Sequence, residues 1–210
     1  MKKLLSLLLA GALMLCYAGC EKIPDAASTS GEDKSAPDTV LAVSQEEQVA
    51  IEAFLNDPAN NGFAGSLHEY AAPQEINLRL VLYDGAGIGR QYDELSEAEQ
   101  QAVQSSPNYS DFMPCVVFRA LDIENYLQKK IGISLVDIAR GTDELEYLKE
   151  LDLYFLQKTD TNLNNLSVTE ATVDKNGRYC VQYTDVLDIC CSITLCKTAE
   201  GYRFISNAVL

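Results

Sequence analysis

The last 45 residues constrain this chain most. Four runs rich in β-branched and aromatic residues, 166–173, 178–184, 189–197 and 202–207, are joined by Asp174-Lys175-Asn176-Gly177, Asp185-Val186-Leu187-Asp188 and Thr198-Ala199-Glu200-Gly201. Links this short join antiparallel neighbours, since parallel strands need a long crossover. The segment is therefore expected to be a four-strand antiparallel meander. In its third run, alternation sets Ile189, Cys191, Ile193 and Leu195 on one face and Cys190, Ser192, Thr194 and Cys196 on the other. The first face is expected in the core, with Phe204 across from Leu195.

Helical patterns dominate the chain ahead of the meander. Ser44-x-x-Glu47 is a capping-box signature, and Val49, Ile51, Ala53, Phe54 and Leu55 follow on a helical stripe that Pro58 stops, which predicts a helix over 45–56. Ile76, Leu78, Leu80 and Leu82 alternate and predict a half-buried strand over 76–83. Ser96-x-x-Glu99 opens a helix reaching Gln104, and residues 115–119 suit a short strand. Asp122 caps a helix ended by Gly132, and Ser134-x-x-Asp137 starts a short one stopped by Gly141. Leu145, Leu148 and Leu151, with Tyr147, Tyr154 and Phe155, predict a largely buried helix over 142–157. Helices first and a meander last give an α+β class.

The amino terminus carries a different signal. Lys2 and Lys3 precede an apolar run that ends in Tyr17-Ala18-Gly19-Cys20. A basic start, a short apolar core and small residues at a cleavage point are the parts of a secretory signal. With cysteine directly after Ala18-Gly19, the segment resembles a bacterial lipoprotein precursor, departing from it at Tyr17. Cys16 is a poorer candidate, because Met14 and Leu15 precede it. The resemblance implies a signal peptide over 1–19, an acylated Cys20 and an anchor on the extracytoplasmic face of the cell membrane. Residues 20–43, rich in Ala, Ser, Asp, Lys and Pro and without aromatics, read as a flexible tether. Residues 44–210 remain for one domain.

The chain also resembles lipoproteins of Gram-positive gut bacteria in Asn60-Asn61-Gly62-Phe63 and in Tyr202-Arg203-Phe204-Ile205-Ser206-Asn207, a resemblance that implies no activity. In element order it is similar to NTF2-like and cystatin-like domains, in which a curved sheet wraps a long helix. That similarity implies a cavity between sheet and helices, with Tyr126, Tyr147, Tyr154, Tyr179 and Tyr183 as lining candidates. The rival is that these rings fill the core.

Chemistry-bearing patterns are incomplete. The net charge of −15 repels nucleic acid and anionic headgroups, so membrane attachment falls to the acyl chains at Cys20. His68 is the chain's one histidine, near a turn, and reads as a surface residue. Gly85-Ala86-Gly87-Ile88-Gly89 lacks the spacing and the lysine of a phosphate loop. Asp160, Asn162 and Asn164 begin a calcium-loop pattern that fails at Asn165 and Ala171. Cys115, Cys180, Cys190, Cys191 and Cys196 contain no C-x-x-C, and a disulfide between Cys180 and Cys190 and free thiols both remain open. No cofactor or metal site is expected. Asp152, Glu146 and Glu150 lie near Tyr147, Tyr154 and Phe155, where a sugar could stack, although an acidic helix face explains the same pattern.

The expected function is a lipid-anchored extracytoplasmic domain that binds a partner or small ligand, without enzymatic activity. The alternatives are a carboxylate-based glycan hydrolase and a structural envelope component. Labelled palmitate should enter the wild-type protein and not Cys20→Ala, which should leave the membrane fraction. Absence of label from the wild type would refute the anchor.

Overall fold

A computed structural model describes residues 40–158 and 165–210. Cys20, the signal and nearly all of the tether lie outside the described residues, as do residues 160–164 of the calcium-loop pattern. β1 (Leu41–Ala42) leads into α1 (Gln45–Leu55), and α2 (Leu78–Asp84) precedes β2 (Arg90–Gln91) and α3 (Glu97–Gln104). β3 (Cys115–Arg119) runs straight into α4 (Ala120–Lys130), followed by β4 (Glu146–Leu148) and β5 (Leu153–Gln157). β6 (Ser167–Val173), β7 (Arg178–Thr184), β8 (Cys190–Thr198) and β9 (Gly201–Val209) form the meander. The class is α+β, and the strands make two antiparallel sheets, β1-β6-β7-β8-β9 and β2-β3-β5-β4. Among the described residues no helix is long and apolar enough to cross a membrane.

The meander follows the expected alternation except at Ile189, which is half-buried just ahead of β8. Cys191, Ile193, Leu195 and Phe204 are fully buried, and Leu195 lies opposite Phe204. The register with β9 shifts between Thr194 and Leu195, and Cys196 is buried as well, although alternation had put it on the polar face. Leu41 and Ala42, assigned to the tether by composition, pair with Val173 and Thr172, so the sheet has a fifth, edge strand. A strand this short has no periodicity; only its partner's free edge defines it.

α1 packs on the sheet because its side chains take up groups that β6 leaves open. Asn56 exchanges hydrogen bonds with the Leu166 backbone, its Nδ2 donating at 2.8 Å and its Oδ1 accepting at 2.8 Å. Glu52 accepts from the Val168 amide at 2.8 Å, and Gln48 donates to the Val168 carbonyl at 3.1 Å. Ser44 caps the helix as its signature predicts, but the Glu47 carboxylate accepts from Lys197 Nζ at 2.6 Å and from the Tyr179 hydroxyl at 2.9 Å. The hydrogen bond to Glu47 pushes the Lys197 ammonium up to about 12.

Two elements differ in kind from their sequence patterns. Residues 78–84 are helical. Asn77 Oδ1 caps the Leu80 amide at 3.2 Å, and the buried set Leu78, Val81 and Leu82 has helical spacing. Val81, inside the alternating leucines, let the run satisfy both periods. Residues 142–157 are not a helix: β4 and β5 form a hairpin that turns at Asp152, whose backbone is left-handed at φ 53°. Aspartate tolerates that conformation, and the leucine spacing was fortuitous, since Leu151 is 38% exposed. A smaller difference concerns α4, which begins at Ala120 with Asp122 in its first turn rather than as its cap.

A continuous row of rings crosses the main core. Tyr126 stacks on Phe63 at 5.6 Å, Phe63 on Phe204 at 4.6 Å and Phe204 on Phe54 at 5.3 Å, and Phe54 meets Tyr202, which meets Tyr179. Phe63 and Phe204 come from the two resembled motifs, so those motifs meet in space. Gly62 has no alternative here, because a Cβ would stand 2.3 Å from the Val81 carbonyl oxygen. The small sheet turns Val116, Phe118 and Leu156 toward this core and Val117, Leu153 and Phe155 toward a second one with Leu95 and Val103. Arg90 of β2 holds Glu99 of α3 at 2.7 Å, which with the Ser96 amide keeps the Glu99 carboxyl at about 2. Phe204→Ala should cost about 3 to 5 kcal/mol in a denaturant titration; a loss below about 1 kcal/mol would remove Phe204 from the core.

Candidate functional site

Residues 64–70 form a loop with little regular structure, yet it is pinned from below by one side chain. Asn207, on β9 and buried, donates from Nδ2 to the carbonyls of Gly65 and His68, each at 3.0 Å. Its Oδ1 accepts from the Tyr183 hydroxyl at 2.7 Å, and the hydroxyl oxygen accepts from the Gly65 amide at 2.7 Å. Burial raises the Tyr183 phenol, so it stays a donor. The Tyr70 and Asn207 backbones exchange two hydrogen bonds at 2.9 Å.

Fixed in this way, the loop places His68 against α2. His68 Nε2 lies 2.6 Å from Asp84 Oδ2, with both side chains largely withdrawn from solvent. Sequence reading put His68 on the surface; it is buried, because the loop folds back over the end of α2 and Asp84 compensates the ring. The turn between β7 and β8 supplies the opposite wall. Asp185 accepts from the amides of Leu187 at 2.9 Å, Ile189 at 3.1 Å and Ser66 at 3.1 Å. Burial pushes the Asp185 carboxyl up, but the Ser66 side chain and the Ile189, Leu187 and Ser66 amides outweigh it and hold the carboxyl low.

Between these walls lies a cavity of about 120 Å³, with His68, Asp84 and Asp185 at its polar side. Leu67, Val186 and Leu187 form its rim and are 74%, 50% and 64% exposed. A neighbouring space of about 30 Å³, lined in part by Gly62, Tyr70 and Arg140, is the size of a single water. His68 borders both. Sequence reading named none of Asp84, Asp185 and Asn207 for the site. The one signal available was Asn207 closing an apolar strand. Chemically, the cavity sets the His68–Asp84 pair beside an apolar rim, while the Asp185 oxygens are taken up by backbone amides. Ser66 is engaged by Asp185 rather than by His68, so the serine and histidine form no nucleophile pair.

The five tyrosines named from sequence do not share a cavity. Tyr183 lies in the network beneath the loop, Tyr126 donates to the Ala59 carbonyl at 3.0 Å, and Tyr179 bonds Glu47. Burial pushes the Tyr126 phenol up. Tyr147 and Tyr154 stack on one another at 4.6 Å in the small sheet, with Tyr154 packed against the main core. Cys180 and Cys190 are free thiols, because the register sets Cys180 opposite Thr194 and Cys190 opposite Thr184. Cys115, Cys191 and Cys196 are buried, and burial raises the Cys115 thiol to about 11. Among the described residues no group of three or more His, Cys, Asp or Glu is placed to hold a metal ion.

Comparison with protein-family models, with curated proteins and with solved structures gives no match. Asn207→Ala removes the partner of three buried groups, at about 1 kcal/mol each, and should destabilise the protein by about 3 kcal/mol in urea titration. A loss below about 1 kcal/mol would show that the loop does not depend on this side chain.

Proposed function

We propose that the protein is a binding domain held at the extracytoplasmic face of the membrane through acylated Cys20, and that the His68 cavity receives a side chain or end group of a larger partner. The observation that carries the second part is the cavity itself: the His68–Asp84 pair at its wall, three exposed apolar residues at its rim and a loop fixed in advance by Asn207. Whole small-molecule ligands usually occupy about 300–1,000 Å³. A cavity of about 120 Å³ suits a fragment, with the rest of the partner lying outside over Leu67, Val186 and Leu187. Pre-ordering the loop lowers the entropy cost of binding.

Charge narrows the partner. At −15 the protein repels polyanions and favours neutral or basic partners. A glycan hydrolase needs one carboxyl kept protonated near neutral pH. At this cavity the Asp185 carboxylate is taken up by the Ser66, Leu187 and Ile189 amides, which makes it part of the wall rather than a proton donor. The location rests on the residues around Cys20. α1 laid across the large sheet supports the proposed NTF2-like or cystatin-like element order.

A thermal-shift screen of amino acids, short peptides, peptidoglycan fragments and sugars tests this reading. A fragment present at 100 times its dissociation constant adds about 2.7 kcal/mol of stability. The shift should vanish in Leu67→Asp, a rim change at an exposed position that leaves the fold intact. No shift from any compound, or a shift that Leu67→Asp leaves unchanged, would refute the cavity as the binding site.

A further inference from the structure

The hairpin of β4 and β5 sets Tyr154, which packs against the main core, beneath Tyr147, which reaches solvent. Tyr147 and Tyr154 face one another across the two strands, their rings stacked at 4.6 Å and 28°. Tyr154 covers one face of Tyr147, and Tyr147 is still 44% exposed. At the turn, Asp152 accepts from the Tyr147 hydroxyl at 2.7 Å through Oδ1. That hydrogen bond raises the Tyr147 phenol above its ordinary value. Among the described residues the second oxygen of Asp152 has no partner, and the residue is exposed. A rigid, half-exposed ring backed by a second ring therefore stands beside a carboxylate with an unused acceptor.

We infer that Tyr147, Tyr154 and Asp152 form a binding platform for an uncharged, gluco-configured pyranose ring, separate from the His68 cavity. In such a ring the hydroxyls are equatorial and the C–H bonds axial, so each face is flat and apolar while the rim donates hydrogen bonds. The face matches the open side of Tyr147, and a rim hydroxyl matches the free oxygen of Asp152. Hydrogen bonding to Asp152 fixes the Tyr147 ring before the ligand arrives, which lowers the ordering cost. The negative charge of the protein disfavours uronic acids and other anionic sugars. Of the other two carboxylates near these rings in sequence, Glu146 is taken up by the Ser106 hydroxyl at 2.9 Å and by Asn108 Nδ2 at 2.6 Å, and Glu150 is exposed. The site is assigned binding alone, with no hydrolytic step.

Calorimetric titration of the full-length protein in detergent with cellotriose and with triacetylchitotriose tests the platform, with trigalacturonate as the anionic control. The neutral oligosaccharides should bind saturably and the control should not. Tyr147→Ala should weaken binding about tenfold, and Tyr147→Phe, which keeps the ring and loses the hydroxyl, should fall between it and the wild type. Circular dichroism of each variant checks that the exposed substitution leaves the fold intact. Leu67→Asp at the other site should bind these sugars as the wild type does. The platform is overturned by absence of binding to the wild type, by binding that Tyr147→Ala leaves undiminished, or by binding that only Leu67→Asp removes. The last result would assign the sugar to the His68 cavity.

Discussion

The buried amide of Asn207 is the constraint on which the candidate site depends. Its two donors and its acceptor are all used, on Gly65, His68 and Tyr183, and its backbone pairs with Tyr70. A buried polar group is tolerated when it is fully satisfied, and it then specifies one arrangement, because every alternative strands several partners together. Here the arrangement specified is the path of a loop over the end of β9. The position of His68 against Asp84, and with it the cavity, follows from that path. The aromatic row through Phe63 and Phe204 supports the same geometry from the apolar side, joining the segment before the loop to the strand that carries Asn207.

The two sites use different physics. The His68 cavity is walled by a loop, a helix end and a hairpin turn, which reach it from distant parts of the sequence. The tyrosine platform sits within one hairpin, on paired strands whose register fixes the spacing of its rings. A sheet holds such positions more firmly than a loop does, and so the platform needs no buried polar network beneath it.

Legibility in the sequence depended on whether a pattern admitted one period or two. The meander could be read because its turn residues recur at strand spacing and its apolar face alternates cleanly. α1 and α3 could be read from Ser44 and Ser96, whose hydroxyls cap the helices as expected. The run at 78–84 could not, because its leucines fit a strand while Leu78, Val81 and Leu82 fit a helix, and only packing chooses between them. Residues 142–157 misled in the other sense: leucines three apart suggested a helix, whereas the left-handed Asp152 and cross-strand stacking of Tyr147 on Tyr154 make a hairpin. The sequence already put Tyr147, Tyr154 and Asp152 together where a sugar could stack, but on a helix; only the hairpin sets the two rings against each other across strands.

By itself, then, the sequence determined the α+β class and the meander with Phe204 in its core. These are local properties: periodicity, turn chemistry and composition act over a few residues at a time. The tertiary structure alone decided that His68 is buried on Asp84, that Asp185 turns its carboxylate to the Ser66 amide, that Cys180 and Cys190 stay apart, and that Leu41 and Ala42 join the sheet. Each of these pairs groups from different elements, and their energies come from removing polar atoms from water in company, which no stretch of chain encodes until the chain has folded.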